Sequence, residues 1–180
     1  MIRFLLRAAF VVAILGWIVD RVLASRRGGR VPDPIRSVVV IDAPIERAWE
    51  VLADVEGQPR WMTDLKSVRM LTPPPIGVGT RAEGDIRIFG MAALDPITIT
   101  TFEPPRRFAI RHEGRFTGEG LIELAPGPAD GTTIARWTET IVPPYLPNLG
   151  RLALTPVLRL VFRRDLDNFR ELIETGAEPY

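Results

Sequence analysis

The 180-residue sequence contains no cysteine and only one histidine, His112. Without cysteine, the chain cannot form disulfide bonds, thiolate nucleophiles or cysteine-ligated zinc and iron–sulfur sites. A single histidine excludes every multi-histidine metal site and argues against zinc hydrolase chemistry. The sequence also lacks a P-loop, a serine-hydrolase elbow, a zinc-protease helix and a dinucleotide-binding glycine motif. We therefore expect neither a metal nor a cofactor.

Neither sign of charge is in excess, because 23 basic side chains stand against 22 acidic ones and leave a net charge of +1. Such a chain has no broad positive field for a phosphate backbone, so we expect no nucleic-acid partner. Apolar residues make up 46% of the sequence and charged residues 25%, a balance typical of globular domains. The length suits one domain with a short appendage.

The N-terminal residues form a separate segment. Residues 4–24 are 21 almost uncharged residues. As a helix they are about 31 Å long, which matches a hydrocarbon core of about 30 Å. Trp17 lies where an interfacial aromatic residue would sit. We therefore predict a transmembrane anchor over residues 1–24 and a linker over 25–35. The alternatives are a signal peptide cleaved after Ala24 and a helix that lies on the membrane surface or is buried in the protein.

Arginines are distributed unequally around this segment. Two precede it or lie near its start, and four lie at its end or follow it: Arg3 and Arg7, then Arg21, Arg26, Arg27 and Arg30. By the positive-inside rule, the C-terminal domain of a single-pass membrane protein then faces the cytoplasm. The alternative localisation is secretion after cleavage of the signal peptide.

The first part of the globular region predicts one strand followed by two short helices. Residues 37–42 form a β-branched run, and Pro44 marks the first turn of a helix. Apolar side chains recur at helical spacing up to Val55, and Gly57 ends this helix. A second short helical piece, which contains Trp61, follows.

The later part predicts a sheet and one long helix. Between residues 65 and 142, apolar and polar residues alternate in about six strands, separated by turn sequences such as Asp95-Pro96. Helical spacing returns after residue 148 and ends at Gly176. A twisted antiparallel sheet curls around a helix that buries its apolar stripe against it. For residues 36–176 we therefore predict an α+β fold, with a curved antiparallel sheet of about seven strands wrapped around a long C-terminal helix.

Several residues, together with this order of elements, form a pattern that is typical of one protein superfamily. They are Ala43-Pro44 after the first strand, Trp49 in the first helix, Asp54, Trp61, and Gly77-x-Gly79 before the third strand. With this pattern, residues 35–175 resemble the START-like, helix-grip superfamily (SRPBCC), in particular its polyketide cyclase/dehydrase and lipid-transport branch. The resemblance implies a hydrophobic ligand such as a lipid, sterol, polyketide or hormone. The superfamily has no universal catalytic motif, so no catalytic residue is transferred.

Two polar residues are predicted to face the interior. His112 alternates with Phe108 and Ile110, and Glu139 shares the apolar face of Trp137. A buried glutamate needs a partner or has a raised pKa, and an inward histidine is suited to acid–base work or to a ligand hydrogen bond. The alternatives are a core histidine satisfied by a neighbour and a solvated glutamate on an edge strand.

The predicted ligand contacts combine these two residues with aromatic and apolar side chains of the inner faces and the mouth: Trp61, Phe89, Phe108, Ile110, His112, Phe116, Trp137, Glu139 and Tyr145. Trp61 and Tyr145 are assigned to the mouth, although core packing and a surface position are their alternatives. Gly118 and Gly120 leave room on the inner face, either for a ligand or for close packing of the terminal helix.

Three functions are compatible with these patterns. The leading hypothesis is a membrane-anchored binding or transfer domain for a hydrophobic small molecule or lipid, held between sheet and helix. The second is an enzyme that resembles the cyclases and dehydrases, with His112 and Glu139 as catalytic candidates. The third is a regulatory domain that contacts a partner at the membrane and binds no ligand.

Overall fold

The structure, a computed structural model, describes residues 2–28, 33–88 and 91–177. A long helix is followed by a strand, two short helical elements, six further strands and a second long helix. The elements are α1 (Ile2–Arg27), β1 (Ile35–Ile41), α2 (Ile45–Ala53), a 3₁₀ turn (Gln58–Arg60), β2 (Leu65–Met70), β3 (Arg81–Ile88), β4 (Met91–Glu103), β5 (Arg107–Glu113), β6 (Thr117–Pro126), β7 (Thr133–Val142) and α3 (Pro147–Thr175). Phe89, a predicted ligand contact, lies outside the described residues.

The strands form one antiparallel sheet in the order β1-β7-β6-β5-β4-β3-β2. Strands β2 to β7 follow one another as neighbours, so only the connection from β1 to β2 crosses the sheet, and it carries α2 and the 3₁₀ turn. Strand β1 is therefore an edge, and α3 runs beside it. The predicted helix-grip fold is confirmed.

Strand β4 is longer than the sequence pattern predicts. Asp95-Pro96 was predicted to be a turn, but both residues lie inside this 13-residue strand. Pairing with β5 begins one residue later, at Ile97 opposite His112. Pro96 is thus just outside that ladder, where its missing N–H group is tolerated. The longer strand places the Asp95 side chain on the inner face, two residues before Ile97.

Aromatic side chains fill much of the space between the sheet and α3. Trp61 is fully buried, and its ring centroid lies 4.9 Å from that of Phe169 and 6.0 Å from that of Trp137. Phe162 packs on the other side of Trp137, at 4.8 Å. Trp49 belongs to the same core and contacts Phe102 edge-on, at 5.2 Å. Large rings bury much apolar area, so this cluster fixes α3 against the sheet.

The start of α3 is capped by a residue from α1. Leu146, which precedes the first turn of α3, has a left-handed backbone (φ 47°) and no side-chain oxygen to accept the free N–H groups. The carboxylate of Asp20 replaces that cap, because Oδ1 accepts hydrogen bonds from the N–H groups of Asn148 and Leu149 at 2.8 and 2.9 Å. Asp20 is only 7% exposed. The two long helices are therefore joined by a buried polar contact.

Most side chains of α1 are exposed and not packed against the domain. The stretch Arg7–Arg27 is long and apolar enough to cross a membrane, and nearly all of it is exposed. Phe10, Val12 and Trp17, for example, each expose more than half of their surface. Membrane anchors and N-terminal signal sequences share this length and composition.

Candidate ligand site

The candidate site is built on the inner face of three strands. His112 lies on β5 and Glu139 on β7, with β6 between them. The β6 residues opposite them are Gly118 and Gly120, respectively. Adjacent strands lie about 4.8 Å apart, so side chains on β5 and β7 meet only across an empty position on β6. A Cβ atom on Gly120 would collide with Oε2 of Glu139, so the room left by this glycine is occupied by the carboxylate.

The imidazole of His112 lies between two carboxylates. Nδ1 is 2.6 Å from Oδ2 of Asp95, and Nε2 is 3.3 Å from Oε1 of Glu139. Glu139 also accepts a hydrogen bond from Nε1 of Trp137, at 2.9 Å. Asp95 and Glu139 are 8% and 3% exposed, respectively. The arrangement is a buried chain of aspartate, histidine and glutamate, with tryptophan fixing its far end.

The two carboxylates determine the protonation of His112. Burial alone lowers the pKa of this imidazole, but the hydrogen bond to Asp95, the contact with Glu139 and the two negative charges outweigh burial and raise the pKa to about 10. His112 is therefore an imidazolium at neutral pH. In this state it can donate a proton or a hydrogen bond, but it cannot act as a base.

Three buried polar atoms of this region have no hydrogen-bond partner among the described residues: His112 Nε2, Glu139 Oε1 and Arg151 Nη1. The contact between His112 and Glu139 is close enough for an ion pair, but its alignment is not that of a hydrogen bond. Buried polar atoms are nearly always satisfied, so such a group of three needs an explanation.

A small cavity explains two of these three atoms. It is lined by Ile35, Glu139, Ile141, Pro143, Arg151, Leu154, Thr155 and Leu158. Its volume of about 10 Å³ has room for about one water molecule. Glu139 and Arg151 supply its charged groups, and most of the remaining wall is apolar. The cavity lies between the β7 end of the sheet and the first half of α3.

The structure separates the predicted contact residues into three groups. His112, Glu139 and Trp137, which strand alternation predicted to face inward, lie close together. Trp61, Phe108 and Ile110 belong to the hydrophobic core and do not line the cavity. Phe116 and Tyr145 are exposed side chains of connecting segments, with Tyr145 72% exposed. A ligand role for each of these residues remains a prediction.

Two functional candidates were missed by sequence reasoning. Asp95 was assigned to a turn, although it alternates with Ile97 and Ile99, and that alternation was a usable signal. Arg151 has no such signal, because helical spacing does not show which arginine of α3 turns inward. Its Nη2 donates to the carbonyl of Asp33, at 2.6 Å, which holds the side chain against the linker.

A second buried polar cluster joins α3 to the segment after the 3₁₀ turn. Oδ1 of Asp165 accepts hydrogen bonds from the N–H and the hydroxyl of Thr63, at 3.0 and 3.1 Å. Asn168 donates to the carbonyl of Trp61, at 3.1 Å. Burial raises the pKa of Asp165 to about 6; the bonds from Thr63 act in the opposite direction. This cluster positions α3 and is separate from the cavity.

A seven-stranded antiparallel sheet packed against a long C-terminal helix is the architecture of the helix-grip class of proteins. Comparison with known proteins gives the family. The family model for polyketide cyclase/dehydrase and lipid transport matches residues 34–174, so the chain belongs to this family. The uncharacterized protein Rv2574 of Mycobacterium tuberculosis is 31% identical over 148 residues, which cover 77% of this chain and 83% of that protein.

Solved structures agree with this fold. TTHA0849 from Thermus thermophilus superposes with a TM-score of 0.68 at 19% identity and covers 80% of this chain and 99% of its own. The Zhui aromatase/cyclase from Streptomyces gives a TM-score of 0.62 at 16% identity, over 80% of this chain and 97% of its own. At these identities, the likeness establishes the fold alone.

Proposed function

We propose that this chain is a membrane-anchored domain that binds or transfers a hydrophobic small molecule or lipid between the sheet and α3. The observation that carries the proposal is the set of unsatisfied buried atoms on Glu139 and Arg151, which line the cavity, and on His112, which contacts Glu139. Binding sites for small molecules combine apolar walls with a few convergent polar groups, and this region has both.

The polar atoms specify the chemistry of one end of the ligand. Nη1 of Arg151 and Nε2 of His112 are hydrogen-bond donors, whereas Oε1 of Glu139 is an acceptor. A hydroxyl group both accepts from the donors and donates to the carboxylate, and a carbonyl oxygen satisfies the donors. The hydrocarbon part would lie against apolar cavity residues such as Ile141 and Leu158. The ligand class is therefore an apolar molecule with one hydroxyl or carbonyl-bearing end.

The ligand needs more room than the closed structure offers. A cavity of about 10 Å³ holds a water molecule, and aromatic rings fill the adjacent interior. Ligand entry therefore requires the first half of α3 to move away from β7. This half lies on the far side of the cavity from the sheet and is fixed by the contact between Asp20 and Asn148 at its start. We place the entrance there.

The outer side of the same half-helix suits a membrane surface. Leu152 and Leu160 are 63% and 72% exposed, and both lie on the face turned away from the core. Residues 147–164 contain no acidic residue. Arg159 and Arg164 are exposed in this half of α3, whereas Arg151 turns to the cavity and Arg163 lies towards β1. Exposed leucines flanked by arginines favour the headgroup layer of an anionic bilayer. With α1 in the bilayer, a lipid would have a short path to the cavity.

The ligand-binding part of the proposal can be tested by mass spectrometry. The full chain is purified in nanodiscs or mild detergent, and co-purifying small molecules are extracted and identified. We expect one apolar species above the background of empty nanodiscs, and we expect Glu139→Gln to reduce its amount. Glu119→Gln, an exposed position on β6, is the matched control. If neither preparation retains a specific molecule, the ligand-free regulatory hypothesis is favoured.

The anchoring part has a separate test. In cells that express the full chain, the protein should remain with the membrane fraction after washing with alkaline carbonate. Protease added outside the cell should leave the C-terminal domain intact, because the arginines around α1 predict a cytoplasmic domain. Digestion from outside, or a soluble product that starts after residue 24, would contradict this topology.

An enzyme of the cyclase or dehydrase type is the second candidate, and the chain of Asp95, His112 and Glu139 favours it. A buried imidazolium is a proton donor, and the adjacent glutamate can accept a proton. The test is turnover of aromatic polyketide precursors by the full chain. Loss of turnover in His112→Gln, with ligand retention unchanged, would favour the enzyme. Equal turnover in the variant would remove His112 from catalysis.

A further inference from the structure

The two edges of the sheet differ in how they resist pairing with another strand. Edge strands expose unpaired N–H and C=O groups, and proteins protect them with lysines, bulges or short lengths. Strand β2 has Lys66, Arg69 and an irregular register between Leu65 and Ser67. Strand β1 has a regular seven-residue ladder with β7 and a run of β-branched residues at its end. Its outer side chains Val38 and Val40 are 62% and 45% exposed.

A groove follows the free edge of β1. It has a volume of about 450 Å³ and is lined by Arg36, Ser37, Val38, Val39, Val40, Arg163, Leu166, Asp167 and Arg170. Successive side chains of a strand point to opposite faces, so a groove lined by five consecutive residues runs along the backbone edge. Among the described residues, no backbone hydrogen bond outside the β1–β7 ladder involves residues 35–41. The helix residues lie at i, i+3, i+4 and i+7, which is one face of α3.

The charges of the groove are unbalanced. Three arginines and one aspartate give it a net charge of +2. Asp167 is 3.4 Å from Arg170, so this pair is partly neutralised. Within the described part of the chain, neither the Arg36 nor the Arg163 side chain forms an ion pair or a hydrogen bond, and both residues are exposed. The groove therefore has positive charge on both walls that the domain itself does not neutralise.

We propose that an extended, acidic segment of a partner protein binds in this groove by adding a strand to β1. Main-chain hydrogen bonds to the free edge would supply affinity, and alternating side chains would supply specificity. On an added strand, one set of side chains faces α3, where acidic groups meet Arg163 and Arg170. The other set lies beside Val38 and Val40 on the outer side of the sheet, where β-branched residues fit. The partner segment thus alternates acidic and β-branched residues.

A second copy of this chain is a poorer occupant. Pairing β1 with β1 would bring two grooves of net charge +2 together, and the like charges would oppose association. An acidic segment has the opposite effect, because its acidic side chains face Arg163 and Arg170 of α3.

The test uses full-length protein in nanodiscs and a fluorescein-labelled peptide, Thr-Glu-Val-Glu-Thr-Glu-Val-Glu, with binding followed by fluorescence anisotropy. Two control peptides are used: one replaces every glutamate with lysine, and the other has N-methylated amides at alternate residues, which prevents strand pairing but keeps the charge. We expect the first peptide to bind and both controls to lose most of the affinity. Amide hydrogen exchange in residues 35–41 should slow when the first peptide binds.

Charge reversal tests the proposed contacts. Arg163→Glu should weaken binding about tenfold, because it converts an attraction into a repulsion. Arg115→Glu, at an exposed position in the turn between β5 and β6, should leave binding unchanged. Thermal melting of each variant establishes that it is folded. The proposal fails if no peptide binds at millimolar concentration, if the N-methylated peptide binds as well as the first, or if Arg163→Glu has no effect. Self-association that the same variant abolishes would assign the groove to a second copy instead.

Discussion

Replacement of Asp165 by asparagine is expected to stabilise the folded chain at neutral pH. The carboxyl group is 3% exposed, and burial raises its pKa from 3.8 to about 6. Two hydrogen bonds from Thr63 and the charge of Arg164 oppose this rise, whereas Asp64 adds to it. The folded state therefore holds the proton of Asp165 more tightly than the unfolded state does. Folding stability consequently falls as the pH increases from about 4 to about 6.

The shift in pKa sets the magnitude of the effect. A difference of about two pKa units corresponds to about 3 kcal/mol in the free energy of unfolding above pH 6. Asparagine keeps Oδ1 as an acceptor for both bonds from Thr63 and removes the buried charge. A neutral acceptor forms weaker hydrogen bonds, so we expect a net gain of about 1–2 kcal/mol at pH 7. For a domain of this size, the melting temperature then increases by about 2–8 °C.

Tryptophan-fluorescence melting of the full chain in detergent, between pH 4 and pH 8, measures this effect. The difference in melting temperature between Asp165→Asn and the parent chain should be largest above pH 6 and should disappear near pH 4. Asp167→Asn is the matched control, because that side chain is 47% exposed and lies on the same helix. A variant that is less stable than the parent at pH 7, or a difference that does not change with pH, would refute the reasoning.

Four further predictions concern the polar contacts. In NMR spectra, the imidazole signals of His112 should remain those of the protonated ring up to pH 8. They can be assigned without ambiguity because the chain has one histidine. Asp95→Asn should lower the pH at which this imidazole titrates. Because the pKa of His112 is raised from 6.5 to about 10, the stability from its ion pairs should be complete below pH 6.5 and lost towards pH 10 in denaturant unfolding. Gly120→Ala should displace the carboxylate of Glu139 and lower the free energy of unfolding by about 1–3 kcal/mol. Asp20→Ala should remove the cap of α3, a loss of about 1 kcal/mol, and should speed amide exchange in its first turn.

The two substitutions Gly120→Ala and Asp20→Ala have matched control variants. For Gly120→Ala the control is Gly77→Ala, since a Cβ atom there meets no atom within 4 Å. For Asp20→Ala it is Asp20→Asn, which keeps a capping oxygen and should restore slow exchange in the first turn of α3. If His112 in the parent chain titrates near pH 6.5, then Asp95 and Glu139 do not keep its imidazole protonated at higher pH.

The sequence by itself determined the fold, because each element has a local cause. The change of apolar spacing from helical to alternating and back marks β1, the short helices, the strands and α3 in order. Prolines lie mainly in the connections, which is why Asp95-Pro96 was predicted to be a turn. That prediction was wrong because Pro96 lies just outside the β4–β5 ladder, where a strand tolerates proline. Alternation also showed that His112 and Glu139 face inward, since the period of a strand fixes the face of each side chain.

Only the tertiary structure decided which of these side chains meet. His112 and Glu139 lie on strands separated by β6, and their contact depends on the absence of a side chain at Gly120. The inward turn of Arg151 depends on the placement of α3, and the cap from Asp20 joins residues 128 positions apart. Local patterns give the face of a residue and not its partner, because partners are set by strand order, register and the packing of helices on the sheet.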